Sequence, residues 1–312
     1  MKIKKSIVLL ACILTVTFIN AQTIYSKAYG NYSDDPLIFL HGGPGYNAVG
    51  FEVTTAQKLS ESGFYVIVYD RRGEGRSPDK NATFTFEETF NDLEALFDKF
   101  HLKSASLIGH SFGGVVATLF ADKYPSKVNS IILAAAPLSI QETFLTILKS
   151  SKSIYFANND SVNLNYISML EQMDKNSLEY SSYCFSHAMQ NRFYYPKGPT
   201  KEAATIYSKF KTDSLLLQYS SQMNYDAPRG FWKNEKYTTL NITENLKNVL
   251  QQEIAVLGLY GKDDGLFSEI QIRELENILG KERVVHMTNC SHNLFIDQQY
   301  VFINACKMFF KE

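Results

Sequence analysis

Three residue types follow one another along this 312-residue chain in an order that suggests nucleophilic chemistry: Ser111, then an acid at Asp263 or Asp264, then His292. A serine hydroxyl is a poor nucleophile until a base takes its proton, and the base needs a carboxylate to orient it. Ser111 sits at the centre of Gly109-His110-Ser111-Phe112-Gly113, a G-x-S-x-G pattern. Alone the pattern is weak, because chance matches are common. Its setting strengthens it: Ser104 to Ile108 is an apolar run that reads as a buried strand, and Val115 to Tyr124 reads as a helix stopped by Pro125. A serine between the two must occupy a sharp, strained turn. Gly109 and Gly113 let the neighbouring backbones pass without a Cβ clash, and the hydroxyl is lifted off the end of the sheet.

The other two members need strands of their own. Ile254 to Tyr260 is an apolar run ending in Gly261-Lys262-Asp263-Asp264, which places an acid in the loop beyond the strand. Arg283 to Met287 reads as the next strand and leads through Thr288-Asn289-Cys290-Ser291 into His292. In open α/β sheets, chemistry gathers outside the carboxyl ends of the strands, and each candidate follows a different strand. The remaining histidines have plainer expectations. His286 lies within a β-run, His41 and His110 neighbour the motifs as packing or hydrogen-bonding residues, and His101 and His187 read as solvated or structural.

A developing oxyanion needs donors that are already in place. Leu40-His41-Gly42-Gly43-Pro44-Gly45 follows the apolar run Leu37 to Phe39. Its glycines allow close backbone approach to a ligand, and Pro44 stiffens the loop. The backbone N–H groups of Gly43 and of Phe112, the residue after the serine, are the expected oxyanion donors; a simple tight turn is the alternative. Asp70-Arg71-Arg72-Gly73-Glu74-Gly75-Arg76-Ser77 follows the strand-like run Tyr65 to Tyr69. Its glycines and its charges at Asp70 to Arg72 read as a brace for the loops under the site.

Together these motifs resemble the α/β-hydrolase family. The H-G-G-P-G loop at His41 to Gly45, and the segment Asp70 to Ser77 with its D-x-R-G-x-G-x-S pattern, resemble the proline iminopeptidase-like branch. The likeness covers roughly Ile24 to Pro137 and Glu253 to the C-terminus. It implies an α/β class fold of the α/β-hydrolase type, a mostly parallel sheet flanked by helices with a mainly helical cap insertion. Its Gly-x-x-Asp spacing selects Asp264 over Asp263 as the acid. It further implies release of an N-terminal residue, often proline, from small peptides, with no cofactor. That activity requires cap carboxylates for the free amine, because a buried ammonium without a partner is costly. Some members carry a glutamate in an E-x-H-Y-F-like stretch, whereas the nearest stretch here, Gln190 to Tyr195, has no acid. Glu202 and Glu235 are the substitutes, each with surface exposure as its plainer role. Phe193, Tyr194, Phe231 and Trp232 suit an apolar or ring-bearing substrate, or simply the interior of the cap. An ester, lactone or amide hydrolase is the rival within the same chemistry. A ligand-binding or sensor protein on the same scaffold is a rival of another class.

Composition bounds what remains. Net charge is −1 with acids and bases interspersed, so nucleic acid is not an expected partner; a small molecule or short peptide is. Lys2, Lys4 and Lys5 precede an apolar run from Ile7 to Ile19 and then Asn20-Ala21-Gln22. This reads as a secretory signal peptide over residues 1–21, cleaved after Ala21, for a periplasmic or extracellular protein. Lipidation at Cys12 is the rival, weakened by the apolar residues Ile13 to Ile19 that follow it. No other segment is long and apolar enough to span a membrane. Cleavage leaves Cys184, Cys290 and Cys306, an odd number, with Cys290 and Cys306 able to meet if the last helix folds back. No C-x-x-C or clustered His/Cys pair implies a metal.

Two core pieces, 22–137 and 253–312, are expected to enclose a cap at 138–252, with helices at Tyr166 to Met173 and Ile206 to Tyr219. Thr85 and Glu88 suggest a capping box opening a helix whose Phe86, Phe90, Leu93, Phe97 and Phe100 pack on the sheet. Ile270 to Leu279 reads as another sheet-packing helix. The N-terminus leaves room for one strand around Ile24 to Tyr29, so the family's usual first strand is expected to be missing.

Overall fold

The computed structural model describes residues 24–311. The expected leader at 1–21, with Cys12, lies outside them. Seven strands, β1 (Ser26–Tyr29), β2 (Asp35–Leu40), β3 (Phe64–Tyr69), β4 (Ala105–His110), β5 (Val128–Ala134), β6 (Ala255–Gly261) and β7 (Val284–Met287), form one sheet in the order β1-β3-β2-β4-β5-β6-β7. Only β1 runs antiparallel to its neighbour; every other pairing is parallel. Among the described residues β1 is the one strand ahead of β2, at the sheet edge.

Parallel strands need helical crossovers, so both faces of the sheet are covered and the central strands are apolar on both sides. In β2, Ile38 and Leu40 join one core with the helices Phe86–Lys99 and Phe112–Lys123, while Leu37 and Phe39 join the opposite core with the helical residues 49–60 and the helix Gln299–Phe310. The helix Phe86–Lys99 opens as Thr85 Oγ accepts the Glu88 N–H at 3.1 Å. The box is only half closed: the Glu88 carboxylate takes the N–H groups of Thr83 and Phe84 rather than that of Thr85.

Between β5 and β6 the chain runs through the helices Ile140–Ala157, Ser161–Gln172, Leu178–Gln190, Lys201–Lys209, Ser214–Tyr219, Asp226–Glu235 and Thr243–Gln251. The single helix expected from Ile206 to Tyr219 is two. Asp213 breaks it by accepting the Leu215 and Leu216 N–H groups, which caps a fresh helix start. The last helix, Thr243–Gln251, packs Leu246 and Val249 into the same core as the helix Phe112–Lys123. It belongs with the sheet by its contacts. Cys290 and Cys306 share a core but form no disulfide; both are free and buried, as is Cys184. No helix among the described residues is long and apolar enough to cross a membrane.

Candidate active site

The parallel strands end on a common edge, and the sequence candidates collect there. Ser111 occupies the turn between β4 and the helix Phe112–Lys123 with φ 53° and ψ −124°. A non-glycine residue there carries strain of about 1–3 kcal/mol, held by the surrounding structure. Two bonds hold it: Ser111 N–H donates to Ala134 O at 2.9 Å, and Ser111 O accepts the Gly114 N–H at 2.8 Å. The two glycines are required. A Cβ on Gly113 would run into the Leu40 carbonyl, and one on Gly109 would meet the backbone of Gly114.

His292 Nδ1 lies 2.8 Å from Asp264 Oδ2, and both side chains are buried. Asp264 Oδ1 accepts the Leu266 N–H at 3.0 Å, which fixes the carboxylate. Asp263 is half-buried and takes the Lys197 N–H instead. Geometry therefore brings Asp264 to the histidine. Ser111 and His292 line one small cavity, of about 20 Å³, but share no hydrogen bond. Such contacts often tighten only when substrate is bound.

Gly43 and Phe112 line the same cavity. Phe112 begins its helix, so its N–H has no intrahelical acceptor. Neither it nor the Gly43 N–H donates to any acceptor among the described residues. Gly43 is held at φ 119° and its bond to Pro44 is cis. Beneath this loop the buried Arg71 guanidinium donates to His41 O and Gly42 O, each at 2.5 Å, and pairs with Glu74 at 3.0 Å. Glu74 in turn accepts the Gly45 N–H at 2.8 Å. Asp70 accepts the Ala48 N–H and pairs with Arg76. The charged segment is the brace the sequence suggested, with Arg71 and Glu74 as the pair under the glycines.

Two further histidines flank these loops. His41 accepts the Arg71 N–H at Nε2, so its Nδ1 is left to donate to Gly42 O. Burial, then Arg71, hold its proton affinity well below the usual imidazole range. His110 Nε2 lies 2.9 Å from His292 O, and burial pushes its pKa down to about 3. Both are neutral structural groups. A larger cavity of about 420 Å³ is lined by His41, His110 and Asn293, with Tyr46, Tyr207 and Phe295.

Of the candidate substrate residues, the structure brings only some near Ser111. Tyr194 sets its ring edge-on to His292 at 5.1 Å between centroids. Phe193 packs with Ile147, Ala188 and Leu266. Its carbonyl accepts both Ser291 Oγ at 2.7 Å and the Gly265 N–H at 3.3 Å, tying the Asp264 loop to the His292 loop. Trp232 points its indole N–H at Asn176 O. Glu235 accepts the Phe86 N–H at 2.7 Å, at the start of a core helix. Glu202 is exposed and accepts the Tyr300 N–H. Neither glutamate lines the Ser111 cavity. Its remaining walls are Pro137, Ile140, Thr143, Phe185, Tyr237, Leu266 and Phe267, with no carboxylate among them. Among the described residues no group of three His, Cys, Asp or Glu is arranged to hold a metal ion.

A family model described as alpha/beta hydrolase fold matches residues 35–299. A proline iminopeptidase of Lactobacillus delbrueckii subsp. lactis is 38% identical over 124 residues, covering 38% of this chain and 42% of that protein. The matched stretch spans about two fifths of the relative's length. In three dimensions the chain is similar to a proline iminopeptidase-related protein of Thermus thermophilus, with a TM-score of 0.64 and 22% identity, covering 91% of this chain and 92% of that one. An esterase from Exiguobacterium antarcticum matches with a TM-score of 0.60 and 17% identity, covering 93% and 96%. At these identities the structural likeness shows the fold alone.

Proposed function

The chain belongs to the α/β-hydrolase family, and on that footing we propose that it is a serine hydrolase working by two-step acyl transfer. One observation carries this most directly: the buried His292–Asp264 pair, 2.8 Å apart, with His292 sharing a cavity with Ser111 and with two undirected N–H donors. Ser111 attacks the carbonyl carbon while His292 takes the hydroxyl proton, oriented by Asp264. The tetrahedral oxyanion is received by the N–H groups of Gly43 and Phe112. His292 then protonates the leaving group, and activates water to release the acyl chain from Ser111. One such oxyanion donor is worth about 3–4 kcal/mol of barrier.

For the substrate, the apolar walls of the cavity favour a small ester, lactone or amide with an apolar acyl group. A free N-terminal amine would need a carboxylate beside it, and the acids named from sequence are engaged elsewhere. Proline iminopeptidase activity is the second reading, supported by the similarity to enzymes of that name over part of the chain. In either case the walls must move, since about 20 Å³ holds little more than one water. Ile140, Thr143, Phe185 and Tyr237 come from the part of residues 138–252 that precedes the helix Thr243–Gln251, and this part we take as the cap. The basic and apolar run ahead of Ala21 supports export of the enzyme.

A fluorophosphonate probe tests the chemistry. It should label Ser111 in wild type and nothing in Ser111→Ala, and labelling that persists or moves to another serine overturns the assignment. A free proline-linked chromogenic amide, its N-acetylated form and an acetyl ester then separate the substrates. Turnover lost on acetylation supports the peptidase, and faster cleavage of the ester supports the esterase.

A further inference from the structure

We propose that Asp297 is a positioning residue for His292, holding the peptide that leads into the base and fastening it to the helix Lys201–Lys209 through Tyr207. The proposal rests on His292 being the base. Asp297 ends the short helix Leu294–Asp297 and is fully buried. Its Oδ2 accepts the Ser291 N–H at 2.8 Å, one residue before His292, and its Oδ1 accepts the Tyr207 hydroxyl at 2.7 Å. Its bonds go to Tyr207 and Ser291, and no lysine or arginine pairs with it among the described residues. A buried carboxylate without a cation is costly. Here both oxygens join two parts of the chain far apart in sequence.

The rest of the clamp is neutral. His292 O receives His110 Nε2 at 2.9 Å, and Ser291 Oγ donates to Phe193 O at 2.7 Å. Asp297 supplies the charge-assisted bond in the set, the stronger kind. The groups that face it are Tyr207 on the helix Lys201–Lys209, Cys290 and His292 on their shared loop, and Asp264 on the loop after β6. Burial raises its pKa to about 6, Asp264 pushes the same way, and the Tyr207 and Ser291 bonds and His292 oppose. Above that pH its negative charge favours the imidazolium that forms as Ser111 gives up its proton.

The test uses the full chain with an acetyl ester and a fluorophosphonate, in Asp297→Ala, Asp297→Asn and Tyr207→Phe. In the alanine variant kcat and kcat/KM should fall together, by about tenfold to 100-fold, as expected when the base is misplaced. Labelling of Ser111 should slow in parallel. Asparagine can accept the Ser291 N–H and donate to the Tyr207 oxygen. It should therefore keep most of kcat, while the acid limb of kcat/KM moves to lower pH because the charge is gone. Tyr207→Phe should show an intermediate loss of kcat. An alanine variant that labels and turns over like wild type, or an asparagine variant with an unmoved acid limb, overturns the proposal. Should the alanine variant not fold, an unmoved limb in Asp297→Asn with unchanged kcat in Tyr207→Phe does so. Wild type that is not labelled at Ser111 overturns the underlying assignment of the site, and this proposal with it.

Discussion

The imidazole of His292 and the carboxylate of Asp264 meet at 2.8 Å with both side chains shielded from solvent. A carboxylate only accepts, so Nδ1 must carry the proton and Nε2 keeps its lone pair, which the proposed mechanism directs to the Ser111 hydroxyl. The bond thus selects the tautomer that the proposed mechanism requires.

Asp264→Asn should therefore cost about 10⁴-fold in kcat with little structural change, the size seen when the acid of a Ser-His-Asp triad becomes an amide. Asp263→Asn should leave turnover near wild type, because its carboxylate faces outward to the Lys197 N–H. Steady-state kinetics on an acetyl ester decide. Equal losses in the two variants would mean the acid has been misassigned.

Thermal stability should fall as pH drops below neutrality. His110 is held neutral, with its pKa near 3, and His41 is depressed in the same direction. Unfolding releases both to about 6.5, so between the folded and unfolded values the unfolded chain binds more protons and gains stability as pH falls. Asp297 and Glu74 have raised values and titrate the opposite way, offsetting part of the loss at lower pH. The histidine effect is cleanest between pH 7 and 6. Melting temperatures across that range should decline in wild type and decline less in His110→Gln, and matching slopes would exclude His110 as the source.

Glu235→Ala should act on stability rather than on recognition of a substrate amine. The carboxylate takes the Phe86 N–H at 2.7 Å at the start of the helix Phe86–Lys99. Loss of such a partner typically costs about 1 kcal/mol. The ratio of turnover on a free proline amide to turnover on its acetylated form should not change. A selective loss on the free amine would return Glu235 to the substrate site.

Exported protein should begin at Gln22. Intact mass of secreted or periplasmic material is the measurement. A lipid-bearing Cys12 or a retained Met1 would show the leader to be of another kind.

The strands and the loops after them were readable because local pattern determines them. An apolar run gives the strand, and the small or charged residues that follow give the turn beyond it. Ser111, Asp264 and His292 each stand beside such a signal. Glu235 illustrates the opposite case: its helix is local, but its partner Phe86 is 149 residues away, and nothing near either residue announces the pairing. Asp297 was hidden for a related reason. It follows Leu294-Phe295-Ile296 and reads as the polar end of a helix turn. Its partner Tyr207 comes from the helix Lys201–Lys209, whose separation from the helix that follows is set by the Asp213 cap and not by the apolar pattern. Arg71 and Glu74 fall between. The brace was visible in the charged, glycine-rich motif, but the carbonyls of His41 and Gly42 that it grips were not.

The three buried cysteines sit in two cores: Cys184 among the helices between β5 and β6, and Cys290, on the way to His292, together with Cys306 of the helix Gln299–Phe310. Burial pushes each thiol well above its ordinary pKa, which leaves little thiolate to react. Oxidants and alkylating reagents can reach each sulfur only when its core opens. The chain thus carries two built-in clocks, and the modification rate of Cys184 set against those of Cys290 and Cys306 records how often the helices between β5 and β6 and the core beneath the His292 loop each unlatch.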